Sequence, residues 1–149
     1  MKNFSYAMDP ILKQHEWEID ALKAELMTLN LALRERESEM QKLTGIVHSA
    51  EQEILSICRE NVIIERDRKI ILEIYLRDQR VRVEEKKLEL DQARELAERV
   101  FSQLRKKKQS QRGIEKHRER KKKDFDAEAI RREALEADDL WLAKLAGSK

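Results

Sequence analysis

The sequence is poor in the residues that close a compact domain. Three Gly and one Pro among 149 residues leave few places for tight turns, which excludes a fold of many short elements. Aromatic residues are only 5%, so few large side chains are present to fill a deep core. The lone cysteine, Cys58, excludes an internal disulfide and any zinc site built on several cysteines. No apolar run approaches the ~20 residues of a membrane-spanning helix. The opening MKNFSYAMDP lacks the apolar stretch of a signal peptide, so a cytoplasmic protein is expected. Asn3-Phe4-Ser5 fits the glycosylation pattern, but without secretion it carries no weight.

Charge of one sign is also missing overall, since the net value is +2. That neutrality hides segregation. From Arg105 to Lys123 there are eleven Lys or Arg against two Glu, a local +9 that leaves −7 for the rest. Charged residues are 42% and hydrophobic ones 40% of the chain. That hydrophobic share is too high for a disordered polyampholyte. Richness in Ala, Glu, Lys, Leu and Arg is the composition of long helices.

The apolar spacing agrees. Asp9-Pro10 reads as a helix start, with Asp as cap and Pro in the first turn. From Leu12 apolar residues recur at alternating steps of three and four through Ile19, Leu26, Leu33, Met40, Val47 and Ile54 to Ile57. His15 and Arg36 are the polar exceptions on this seam. Such a run is the signature of a coiled coil. It breaks at CRENVIIERDRK, residues 58–69, and a second series follows from Leu76 through Val83, Leu90, Ala97 and Val100 to Leu104. The same rule extends it to Ile114, Phe125, Leu135 and Leu142, with mostly polar positions between Leu104 and Phe125.

The expected fold is all-α: one elongated coiled-coil domain over 1–149, an antiparallel two-helix hairpin. Helix 1 spans about 10–57, the turn about 58–68 and helix 2 about 69–145, each bound within roughly four residues. A single helix running through and forming a parallel dimer is the rival. In the hairpin, helix 1 is ~72 Å long and helix 2 ~118 Å, so helix 2 overhangs. The overhang carries KHRERKKKDFDAEAIRRE, residues 116–133, and ends in DDLWLAKLAG. Its apolar residues need a partner. Gly147 is expected to cap helix 2; Gly45 and Gly113 sit inside helices, and Gly113 is a candidate bend.

Catalytic patterns are absent. No glycine-rich phosphate loop precedes a Lys-Ser or Lys-Thr pair, and no HExxH occurs. His15, His48 and His117 are far apart; no metal, no cofactor and no enzymatic activity are expected. His15 is expected on the seam and the other two in solvent, with Trp17 flanking the seam. The basic run admits three readings: a solvated helix face, a docking site for an acidic protein surface, or a nucleic-acid arm. The last would belong to a coiled-coil dimer with forked basic helices. Against it, acids return at once from Asp124.

The opening MDPILKQHEWEIDALKAELMTLNLAL, the stretch YLRDQ at 75–79, and EKHRERKKKDFDAEAIRREALEADDLWLA together resemble the flagellar export protein FliJ family. The resemblance covers nearly the whole chain in order and spacing. It departs at Ile130 in AIRRE and in the lack of Gly or Pro at the turn. It implies an antiparallel two-helix coiled coil similar to the gamma stalk subunit of rotary ATPases. Such a stalk is not an enzyme; it binds and stimulates the hexameric flagellar export ATPase. It also contacts the transmembrane export gate and can interact with export chaperones. It is a soluble monomer without nucleic acid, working at the cytoplasmic face of the flagellar basal body. The equivalent stalk of virulence type III secretion systems shares the architecture. By this resemblance the ATPase would meet Ile11, Leu12, Trp17, Arg118, Arg120, Lys121, Phe125, Ile130, Arg131, Arg132 and Leu135. The gate would meet Ile63, Ile64, Tyr75 and Leu76.

Overall fold

A computed structural model of the chain describes residues 2–60 and 66–148. Two helices account for nearly all of them: α1, Asp9–Glu60, and α2, Arg66–Gly147. Both run slightly beyond the expected bounds, into the span expected of the turn. Residues 61–65, with Ile63 and Ile64 among them, lie outside the described part. The described residues divide into two units, each made from a segment of both helices: unit 1 of Met1–Ala21 and Leu104–Lys149, and unit 2 of Leu22–Gln103.

In unit 2 the direction of pairing is read from charges. Arg68 pairs with Glu53, Arg80 with Glu51 at 2.9 Å, Lys86 with Glu39 at 3.7 Å and Arg94 with Glu37 at 3.2 Å. As the α2 number rises the α1 number falls, so the helices are antiparallel. Both members of these pairs remain substantially exposed, and such pairs contribute about 0–1 kcal/mol each. Their value lies in fixing register, since a slip would bring like charges together. Stability comes from the seam between them, where Ala50 and Ile57 of α1 and Leu76, Leu90, Ala97 and Val100 of α2 are buried.

The first seam is occupied as its spacing requires. From Leu12 to Ile57 its apolar members are all buried or half-buried, and so is His15. Arg36, the exception, stays exposed and donates from Nη1 to the backbone carbonyl of Glu89 at 3.3 Å. Its aliphatic stem follows the seam while the guanidinium leaves it. The second seam includes members that an apolar count passes over. Gln79 is buried, and Lys86, Lys107, Gln111 and Arg118 are half-buried at the same three-four steps. Among the described residues no side chain is completely enclosed, because each is covered by one neighbouring helix.

The helix ends differ from the expected caps. The Met8 carbonyl accepts from the Leu12 N–H, and the Tyr6 carbonyl from the Asp9 N–H, both at 3.1 Å. Met8 therefore occupies the cap position and Asp9 begins the helix, freeing its carboxylate for another use. Pro10 still falls in the first turn, where its missing N–H removes no helical bond. At the other end α2 stops at Gly147 without a left-handed glycine. The Ser148 hydroxyl instead donates to the Leu145 carbonyl at 3.0 Å.

Gly45 and Gly113 both lie within continuous helix, and a Cβ added at either would meet no atom within 4 Å. The helix does not end at Gly113. Gly45→Ala and Gly113→Ala are each expected to stabilise the protein by about 0.5–1 kcal/mol, read as a higher midpoint in thermal unfolding followed by circular dichroism.

Candidate functional site

Unit 1 holds the stretch with the densest positive charge, and the chain's own first residues are folded onto it. Residues 2–8 precede α1 and lie along α2 as an arm. Phe4 packs against Phe125 with ring centroids 5.6 Å apart and planes tilted by 55°. The Arg118 guanidinium sits over the Phe4 ring at 5.6 Å, a cation–π distance. Its Nε donates to the Asp9 carboxylate at 2.9 Å. Arg118 thus ties the arm and the start of α1 to α2 at once.

A second tie lies one residue earlier on α2. Tyr6 is buried, and its hydroxyl shares a 2.6 Å hydrogen bond with His117 Nδ1. The two rings stand 5.7 Å apart. His117 stays exposed, as expected, while one of its ring nitrogens holds the arm. The arm itself was not legible from periodicity, because Phe4 and Tyr6 precede the helix and follow no helical spacing. The available signal was the placement of two aromatics, in a chain with few, just before Asp9-Pro10.

Further along unit 1, Lys107 forms an ion pair with Glu18. Its hydrogen bond holds the Glu18 carboxyl below the usual carboxylate range, and its charge and a bond from Gln14 act in the same direction. Lys107 and Arg118 both belong to the basic run, so part of that charge is neutralised internally. This weakens the nucleic-acid reading, which needs those cations for phosphates.

The expected docking residues are partly brought together. Phe125, Lys121 and Arg131 line a shallow groove beside the arm, and Arg118 flanks it. Leu12 is half-buried in the seam, while Ile11 and Arg120 are exposed. Trp17 was expected to flank the seam but is 73% exposed. From Arg131 to Ser148 every described residue of α2 and its end is exposed, Arg132, Leu135 and Leu142 included. Leu135 and Leu142 thus lie on the overhang expected past the start of helix 1, with no described α1 residue of unit 1 covering them. Ile130 is 68% exposed. In unit 2, Tyr75 is exposed beside Leu72 and Ile46, but Leu76 is buried in the seam and presents no surface. Among the described residues no cluster of His, Cys, Asp and Glu could hold a metal ion, and no helix is long and apolar enough to cross a membrane.

This arrangement defines an all-α helical-hairpin protein with charged and apolar side chains exposed on α2. The model of the family described as flagellar FliJ protein matches residues 4–147. The chain belongs to that family, whose members are components of the flagellar type III export apparatus rather than enzymes. Neither a curated protein nor a solved structure matches the chain significantly.

The arm is testable apart from any partner. Phe4→Ala is expected to cost about 1 kcal/mol through the lost aromatic pair and cation–π contact. Tyr6→Phe should cost a similar amount, about 1 kcal/mol, through the lost hydrogen bond. Hydrogen exchange should then accelerate at residues 9–12 of α1 while unit 2 keeps its protection.

Proposed function

We propose that this protein is the central stalk of the flagellar export ATPase, docking into the hexameric ring through the end of unit 1. Membership of the family supports the apparatus. The observation that carries the docking assignment is the exposed end of α2. It presents Arg120, Lys121, Arg131 and Arg132 together with apolar Ile130 and Leu135, all of them exposed among the described residues. Basic side chains steer the stalk towards acidic surfaces of the ring, and the apolar ones supply contact once it is seated. The ordered arm presents Phe125 and Arg118 in fixed positions, which lowers the entropic cost of docking. Ile11, Leu12 and Trp17 complete the surface from α1.

A stalk regulates the ring by touching its subunits unequally. Contacts that differ between nucleotide states shift the populations of those states, and equal contacts shift nothing. The same stalk would reach the transmembrane export gate through unit 2. There exposed Tyr75 is the candidate contact, with Ile63 and Ile64 near it in sequence and Leu76 supporting it from the core. Export chaperones are further partners, and the working location is the cytoplasmic face of the basal body.

Reversal of Arg120, Lys121, Arg131 and Arg132 to Glu tests the docking end and spares the Arg118 ties. Binding to the export ATPase should weaken roughly 100-fold and stimulation of ATP hydrolysis should vanish, with helicity unchanged by circular dichroism. Undiminished stimulation would remove the assignment. For the second contact, Tyr75→Ala should weaken capture of the purified gate protein's cytoplasmic part by about tenfold and leave ATPase stimulation intact. Equal capture by both forms would reject it.

A further inference from the structure

Past Phe125 the apolar residues of α2 leave the seam. At ~100° per residue, Phe125 and Ala129 continue the face turned to the arm, and both are half-buried. Ile130, Ala134, Ala137 and Trp141 follow at steps of four, three and four, on roughly the opposite side of the helix. All four are exposed, Trp141 at 63%. This is a second seam on the same helix, set for something other than α1.

We propose that this face pairs with the same face of a second copy of the chain, as an antiparallel two-helix contact. The spacing is symmetric about its own midpoint. When the two copies run in opposite directions, Ile130 meets Trp141 of the second copy, and Ala134 meets its Ala137. Each pairing occurs twice about the two-fold axis. Two alanines at the centre let the backbones approach, and the larger residues fill the space on either side.

Charge decides both the occupant and the direction. In the antiparallel register Arg131 comes beside Asp138 of the second copy, and Asp126 beside its Lys144, again twice each. In a parallel register Asp126 would meet Arg131, but Glu133 would face Asp138, two like charges at the edge of an apolar contact. The flanks of the stripe are thus complementary to themselves in one orientation only. A face made solely for an unrelated partner has no reason to match its own inverse. Pairing also covers a helix end whose described residues, from Arg131 to Ser148, are all exposed. The monomer that the family resemblance implies takes no account of this stripe. Ile130 belongs to both this face and the proposed docking end, so a paired copy is not free to enter a ring.

Sedimentation equilibrium of the full chain is the test. The mass should approach twice 17.8 kDa as the concentration rises through the micromolar range. Ala134→Glu with Ala137→Glu keeps strong helix formers at both sites and should return the mass to 17.8 kDa at every concentration, with unchanged circular dichroism. Lys144→Glu should weaken association roughly tenfold, and adding Asp126→Lys should restore it. A chain that stays monomeric, a dimer indifferent to the two glutamates, or a double charge reversal that fails to restore pairing each overturns the proposal. Only the chain itself is present in the measurement, so its outcome is independent of whether the ATPase reading holds.

Discussion

A helix paired with one other helix can bury a stripe and no more, and the rest of this structure depends on that limit. With one neighbour on one side, no side chain is enclosed from every direction, and none among the described residues is. The hydrophobic contribution per residue is therefore below that of a globular core. It accumulates through length, from Leu12 to Ile57 on α1 and from Leu76 to Leu104 on α2. The limit also explains why the seam tolerates Gln79, Lys86 and Lys107. A position covered from one side still lets a polar head reach water while its stem packs.

A one-sided seam controls direction poorly by apolar contact alone, since leucines accept many neighbours. The exposed ion pairs supply what the seam lacks. Arg80 with Glu51 and Arg94 with Glu37 add little stability, but only one register satisfies them together. In unit 1 the same need is met by fewer and more specific contacts. Arg118 bonds Asp9 and covers Phe4, while His117 holds Tyr6. These ties use aromatic stacking and charge together because α2 offers almost no apolar seam there.

The basic stretch has two roles as a result. Its inner side chains, Lys107 and Arg118, are structural and replace missing leucines. Its outer ones, among them Arg120 and Lys121, remain exposed and carry the proposed docking function. A count of charge along the sequence cannot separate the two sets, because they alternate at helical spacing. The exposed end of α2 follows the same logic, since its apolar residues are laid out for partners beyond α1.

The sequence by itself determined the two helices, the break between them and the seam residues, because three-four spacing in a chain nearly free of Gly and Pro admits little else. It also carried the family, through motifs whose order spans the chain. Helix lengths were enough to place Leu135 and Leu142 past the start of α1, and spacing to place Leu76 on the second seam. Tertiary structure decided that Tyr75 is surface beside a buried Leu76, and that Trp17 points outward. It alone decided the arm. Phe4 and Tyr6 lie outside any helical period, and their partners Phe125 and His117 are more than a hundred residues away in sequence. Such contacts arise only once the antiparallel pairing has brought the two regions together.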